Sequence, residues 1–456
     1  MSLEFLLAGL PEEIRKAEIS GNINLARKLI AYWLSKDIPE IHRKRLEFES
    51  IRLQRLHLYY PFTYNEALEE AKKLIDNFTE EEFKNYIEEG AIDFIEFDGV
   101  RYFERRFAYN LGFRFPDIKR RTKEEEEQKK KREILEGRLK ALIQGNTPKN
   151  YKVKAKITFR VRVPKGKRVK VWLPIPKESY YQEKVKVLNF SHPSSYIASE
   201  KVGQRTIYME GKDTEEFSVS FEYVIKEVWN RKLFEGTLNA FKGLKTKSGV
   251  QNLTDFLKEK PPHITFTPLL RGLLGEIIQG KDSIFEKAFA IYDFVTSRVW
   301  YSYVKPYIYY DHIPHFVVEN LRGDCGFQAL LFITLCRMAG IPAHWQSGWY
   351  ITPYEASPHD WAVIYLPEFG FVPVDLSFGG KDKTDINRKA FYFGNLDGFR
   401  MIANDEFQED FDPPTKFIRE DPYDNQVGEA EYEDEKAFGE HRIEVLSFEE
   451  VYLWRK

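Results

Sequence analysis

The spacing of apolar and polar positions changes twice along the chain. Through residues 1–147 apolar side chains recur every three or four positions, as in PEEIRKAEISGNINLARKLIAYWL, YNEALEEAKKLIDNF and TEEEFKNYIEEG, which predicts helices. Thr79 followed by Glu82 has the form of a capping box opening the third of these. IDFIEFDGVRYFERRFAYNLGF interrupts the pattern with a small hairpin turning at Asp98-Gly99. From about Tyr151 the period becomes two. KVKAKITFRVRVPKG, KRVKVWLPIPK, EKVKVLNFS, RTIYMEG and EEFSVSFEYVIKEVW alternate between turn-forming residues, predicting an antiparallel β-sandwich over 148–235. Residues 236–403 mix both periods: FEKAFAIYDFVTSRV reads as an amphipathic helix, GFQALLFITLCRMAG as a buried one ending at Gly340, and strands follow. Residues 404–456 are acidic and read as an irregular covering segment, with HRIEVLSFEEVYLW able to add one more strand. The expected fold class is α+β.

A chain of 456 residues exceeds what one hydrophobic core serves, and a 43% hydrophobic content is enough for several. Lys+Arg 69 against Asp+Glu 71 leaves a net charge of −2, so no global field favours nucleic acid or an anionic membrane. The mixed run from Arg120 to Arg138 reads as a solvated helix face. No stretch approaches the roughly eighteen apolar residues of a membrane span, and the start lacks a signal-peptide pattern. The expected location is therefore cytoplasmic. Two cysteines make no disulfide framework, and 31% charged residues with 4 Met suit a thermophile.

The chemistry concentrates around one cysteine. Cys325 follows Gly323-Asp324 and opens about four turns of apolar helix. A thiol at a helix N-terminus meets free N–H groups and a positive dipole end, which favour a thiolate and an oxyanion. Cys336 lies eleven positions on, about 16 Å along one helix, too far for a disulfide and on nearly the same face, so it is read as structural. His359, Trp361, Val363 and Tyr365 share one face of a strand. Pro367 to Gly370 turns the chain, and the return strand places Ser377 opposite His359 and Asp375 diagonal to it. Cysteine nucleophile, histidine base and acid, and aspartate orienting the histidine are the parts that thiolate catalysis needs.

Trp300, Tyr301 and Tyr303 are candidates for a second oxyanion donor, and the pattern does not choose among them. Trp345, Trp349 and Trp361 are candidate walls of a substrate groove. Asp311, His312 and His315 invite a metal reading, but Pro314 breaks the face and further ligands are missing, so no metal and no cofactor is expected. His344 reads as packing.

GDCGFQALLFITLCRMAGIPA followed by HDWAVIYLPEFGFVPVDLSFG resembles the core of the transglutaminase-like superfamily, the papain-related cysteine enzymes. That family pattern has Gly-Asp-Cys opening a helix, Ala/Gly-Ile-Pro-Ala leaving it, His-Ala-Trp, then Trp-Val-Pro-Val-Asp. Gly323, Asp324, Cys325, Gly340, Ile341, Pro342, Ala343, His359, Trp361, Val372, Pro373, Val374 and Asp375 match it, while Asp360 replaces the alanine and Phe371 the tryptophan. FYFGNLDGFRM resembles the stretch that often follows the aspartate in prokaryotic members. The resemblance implies a papain-like core, preceded here by the sandwich and the helical region, with Cys325, His359 and Asp375 as the triad. It implies a peptide or protein amide substrate and a thioester intermediate, resolved by water in a peptidase or amidohydrolase and by an amine in a transglutaminase. A zinc-bearing peptide N-glycanase is disfavoured by the lack of further cysteine pairs. A binding protein that keeps the fold without catalysis is the remaining alternative.

Overall fold

The computed structural model describes residues 3–123, 126–193, 195–241 and 253–452. Glu124 and Glu125 of the charged run, and Leu453 and Trp454 of the final strand pattern, lie outside the described residues.

Helices fill the first third of the chain, among them Glu12–Ile19, Ile23–Leu34, Glu40–Tyr59, Tyr64–Leu74 and Glu80–Glu88. The expected capping box is present: the Thr79 hydroxyl accepts from the Glu82 N–H at 3.1 Å, and Glu82 accepts from the Thr79 N–H at 2.9 Å. The hairpin Phe94–Phe97/Val100–Phe103 turns on Asp98 and Gly99, with φ of 49° and 85°. Two successive left-handed residues are what a tight hairpin turn requires, and Asp-Gly tolerates them.

The alternating region folds into two antiparallel sheets. One contains Asn150–Val161, Glu216–Lys226 and Gln182–Phe190; the other contains Arg168–Pro174, Thr206–Lys212 and Ser195–Ile197. Each sheet is completed from the C-terminal segment. Gly439–Val451 pairs along the whole of Asn150–Val161, and Glu429–Tyr432 pairs with Arg168–Pro174. The end of the chain is therefore sandwich as well as cover.

Between these parts lies a four-stranded antiparallel sheet in the order Gly370–Val374, Ala356–Leu366, Ala343–Ile351, Arg400–Asn404. The helix Cys325–Met338 packs on one face, where Phe327, Leu331 and Leu335 meet Trp345, Ala362, Ile364 and Val374. Trp349, Trp361 and Met401 instead join the core of the sandwich with Val153, Phe221 and Tyr223. A central sheet with both faces covered explains why Ala343–Ile351 and Arg400–Asn404 are buried at every position.

Candidate active site

The Asp324 carboxylate accepts from the Phe327 N–H at 2.9 Å, which caps and starts the cysteine helix. The helix ends where Gly340 takes φ 76°, and the Arg337 guanidinium donates to the Ala343 carbonyl at 2.8 Å. Cys325 thus occupies the first turn and is 8% exposed, while Cys336 is fully buried in the same helix. Both are free thiols.

The strand carrying His359 pairs with the return strand up to Ala362 opposite Val374. Beyond Val374 the chain turns into the helix Leu376–Gly379, so Ser377 does not pair opposite His359 as the turn length predicted. His359 Nε2 lies 2.7 Å from Asp375 Oδ2, so the diagonal pair is closed by its side chains. Arg400 donates to the same oxygen at 2.9 Å and to Asp397 Oδ1 at 2.9 Å, with the guanidinium fully buried. The other Asp375 oxygen accepts from the Phe378 N–H at 3.0 Å. Burial alone would raise the Asp375 carboxyl, but His359 and then Arg400 outweigh it and hold it at about 2. Burial lowers the imidazole of His359 from its ordinary value, against the pull of Asp375.

The thiol meets a different residue. Cys325 Sγ donates to Asp360 Oδ2 at 3.3 Å, and among the described residues it has no hydrogen bond to His359. Side chains alternate along a strand, so Asp360 turns toward the cysteine helix, whereas His359 stacks beside Trp361 at 5.7 Å on the opposite face. His359 and Asp375 meet as the register implied; the thiol sits across the strand from them.

Asp360 is held from three sides. The Tyr307 hydroxyl lies 3.3 Å from it and 3.0 Å from Asp324 Oδ1, and the Gln426 side-chain amide donates both to Asp360 and to the His359 carbonyl. Gln426 belongs to the segment that crosses the site after Asn404. That crossing is fixed where the Trp349 indole donates to the Gln426 carbonyl at 2.7 Å and the Ser347 hydroxyl donates to Asp424 at 2.7 Å. Burial, then Asp424 and Asp324, push the Asp360 carboxyl well up, and burial likewise raises Asp324 to about 6. Burial, then Asp360 and Asp324, also push the Cys325 thiol well above its ordinary range. The expectation that the helix end and His359 would favour a thiolate is corrected here: buried carboxylates, not an imidazole, surround the sulfur.

The aromatic candidates separate. Tyr301 pairs in a short parallel bridge with Gly323, two residues before the cysteine, and the field of Cys325 bears on its buried phenol, which burial keeps neutral. Tyr303 lies beside it, ring centroids 6.0 Å apart, and the field of Cys325 bears on its phenol too. Trp300 is 38% exposed with the Lys383 ammonium over its ring, so it faces away from the thiol. Trp345, Trp349 and Trp361 are all essentially buried, and the Trp361 indole donates to Gln346 at 2.8 Å. These three are core residues and wall no open groove, because both faces of their sheet are covered.

His312 caps its own helix by accepting from the His315 N–H, His315 Nε2 meets the Thr267 hydroxyl at 2.6 Å, and Asp311 is exposed near Arg45. No grouping of three or more His, Cys, Asp or Glu among the described residues has the arrangement of a metal site. His344 packs against Phe256 and Phe371, as expected.

Arg400, Tyr307 and Gln426 were not singled out by sequence. Arg400 lies inside FYFGNLDGFRM, whose resemblance to the stretch following the aspartate was the one available signal; Gln426 had none.

The family model for the transglutaminase-like superfamily matches residues 271–376, a span that contains Cys325, His359 and Asp375. The chain carries a transglutaminase-like domain. The uncharacterised protein YebA of Bacillus subtilis is 26% identical over 128 residues, which are 24% of this chain and 17% of YebA, so the chain spans only a small part of that relative. Among solved structures, a candidate cysteine protease from Cytophaga hutchinsonii is 14% identical with a TM-score of 0.42, covering 68% of this chain and 93% of that one. The periplasmic domain of TgpA from Pseudomonas aeruginosa is 13% identical with a TM-score of 0.28, covering 52% of this chain and 91% of that one. Outside the transglutaminase-like domain, as within it, no helix among the described residues is long and apolar enough to cross a membrane.

Proposed function

We propose that the chain is a cysteine-dependent amide-cleaving enzyme, a peptidase or amidohydrolase, acting on a peptide-like substrate. The observation that carries the proposal is the buried His359–Asp375–Arg400 assembly, built beside a helix that begins at a cysteine within the transglutaminase-like domain. A histidine hydrogen-bonded through Nε2 to a carboxylate keeps Nδ1 for proton transfer. His359 Nδ1 takes the Cys325 thiol proton as the sulfur attacks the amide carbonyl, and the N–H groups of the first helical turn, with the Tyr301 hydroxyl, stabilise the oxyanion. His359 protonates the departing amine, and then takes a proton from the water that resolves the thioester.

The reaction needs the thiol to leave Asp360 and the strand around His359 to turn so that Nδ1 meets the sulfur while Nε2 stays on Asp375. The return strand stops at Val374, opposite Ala362, so on that side the flank of His359 is not tied into the sheet. The Cys325–Asp360 bond itself favours a second reading, a binding protein whose thiol is inert. A panel of peptides and glutamine amides, assayed for released amine or ammonia with trapping of an acyl-Cys325 adduct by mass spectrometry, separates the two. An adduct on Cys325 and release lost in Cys325→Ala support the enzyme; binding without adduct or release supports the second reading.

A further inference from the structure

The Asp360 carboxylate stands where the family pattern has alanine, and it touches the sulfur that would react. We propose that Asp360 holds Cys325 as the protonated thiol, so that this chain's nucleophile rests in a latched state until Asp360 is displaced. The proposal rests on the reading of Cys325 as nucleophile.

Four contacts argue for it. The thiol donates to Asp360 Oδ2 at 3.3 Å, which uses the sulfur's one proton. The Tyr307 hydroxyl, bridging Asp324 and Asp360, fixes the carboxylate from the far side. Gln426 holds the remaining oxygen, Asp360 Oδ1, and is itself anchored through Trp349. Gly326, next to the cysteine, lets both groups close over the helix start: a Cβ there would lie 2.7 Å from Asp360 Oδ2 and inside the Tyr307 hydroxyl. The ionisable groups around this pair are Asp324, Tyr301, Tyr303 and Tyr307, with Asp421 and Asp424 from the crossing segment and the Arg106 guanidinium acting on Asp324 and the two tyrosines Tyr301 and Tyr303. Apart from Arg106, every one of them is neutral or anionic. A thiolate formed here would lose its bond to Asp360 with, among the described residues, no cation in hydrogen-bond contact, and a hydrogen bond donated by the neutral thiol favours the neutral form. Ionisation of the thiol therefore requires the Asp360 carboxyl to move away and give up the hydrogen bond it accepts.

The test is the rate of iodoacetamide labelling of Cys325 against pH in the full chain, with Cys336 as the buried internal control. Asp360→Asn and Asp360→Ala remove the carboxyl to which the thiol donates, whereas Asp360→Glu keeps one. The proposal expects labelling at neutral pH to rise about tenfold or more in the first two, the change in thiolate fraction that accompanies a one-unit shift. It expects Asp360→Glu to stay near the wild-type rate. Unchanged or slower labelling in folded Asp360→Asn overturns the latch. Should these variants fail to fold, the wild-type labelling profile decides: a Cys325 that ionises below about pH 8.5, the ordinary thiol value, overturns it too. The readout is independent of turnover. Faster labelling without any amide cleavage leaves the latch standing and removes the enzyme, and turnover with unaltered labelling does the reverse.

Discussion

Replacing Arg400 with methionine tests whether the histidine–aspartate pair depends on a buried cation. The guanidinium is fully buried and donates to Asp375, to Asp397 and to the Phe399 carbonyl, with Phe378 and Tyr350 against its plane at 4.6 and 5.1 Å. Removing one partner of a buried ion pair costs about 3–5 kcal/mol, because the other charge stays buried without compensation. Here the lower end applies: Asp375 keeps His359 and the Phe378 N–H, and Asp397 keeps the Tyr392 hydroxyl at 2.9 Å. About 3 kcal/mol of local stability should be lost, read by urea unfolding followed through tryptophan fluorescence, since Trp361 lies 5.8 Å from the guanidinium. A proton effect accompanies it. Arg400 opposes protonation of His359 and lowers Asp375, so its loss raises both, and the imidazole should titrate at higher pH by NMR. Arg400→Lys, which keeps the charge without the planar fork, should recover the imidazole titration better than the stability. An Arg400→Met protein with wild-type unfolding and an unmoved imidazole would refute the argument.

Asp421 is half-buried near Asp424, and its carboxyl is raised from 3.8 to about 7 by desolvation and then by that neighbour. A raised folded-state value means stability is complete at acid pH and lost as pH rises through about 7. Asp421→Asn keeps an acceptor for the Tyr423 and Asp424 N–H groups, so thermal stability should decline less between pH 6 and 8; an unchanged decline contradicts this. Gly326→Ala should cost about 1–3 kcal/mol in thermal or urea unfolding, since the added carbon has to push Asp360 and Tyr307 aside; a neutral effect would mean the cluster is looser than described. Trp361→Phe leaves the Gln346 and Tyr181 oxygens without the indole donor and should cost about 1–3 kcal/mol; no loss would mean those bonds are replaced by water.

The sequence made the cysteine helix legible because its cap, its apolar run and its glycine exit all point the same way. It made the His359–Asp375 contact legible because a short turn between two strands leaves little choice of register. Which face carries the thiol was not legible. WAVIYL is apolar at every position, so a period of two names the residues that share a face without saying which face meets the helix. The same both-sided burial hid Trp345, Trp349 and Trp361, whose aromatic character suits a groove and a core equally. The departure at Asp360 was visible as a residue type; that it reaches the sulfur depends on alternation fixed by the helix packing. Gln426 lies in a stretch with neither period, and its place follows from side-chain bonds to Trp349 and Asp360 that no local pattern announces.

The central claim is that Cys325 carries out amide cleavage. The direct measurement is mass spectrometry of the full chain after brief exposure to a peptide or glutamine-amide panel, with wild type and Cys325→Ala side by side. The account predicts an acyl adduct on Cys325 and release of amine or ammonia, both absent in Cys325→Ala while its unfolding profile stays that of wild type. Release that persists in Cys325→Ala, or peptide binding in wild type with neither adduct nor release, would contradict it.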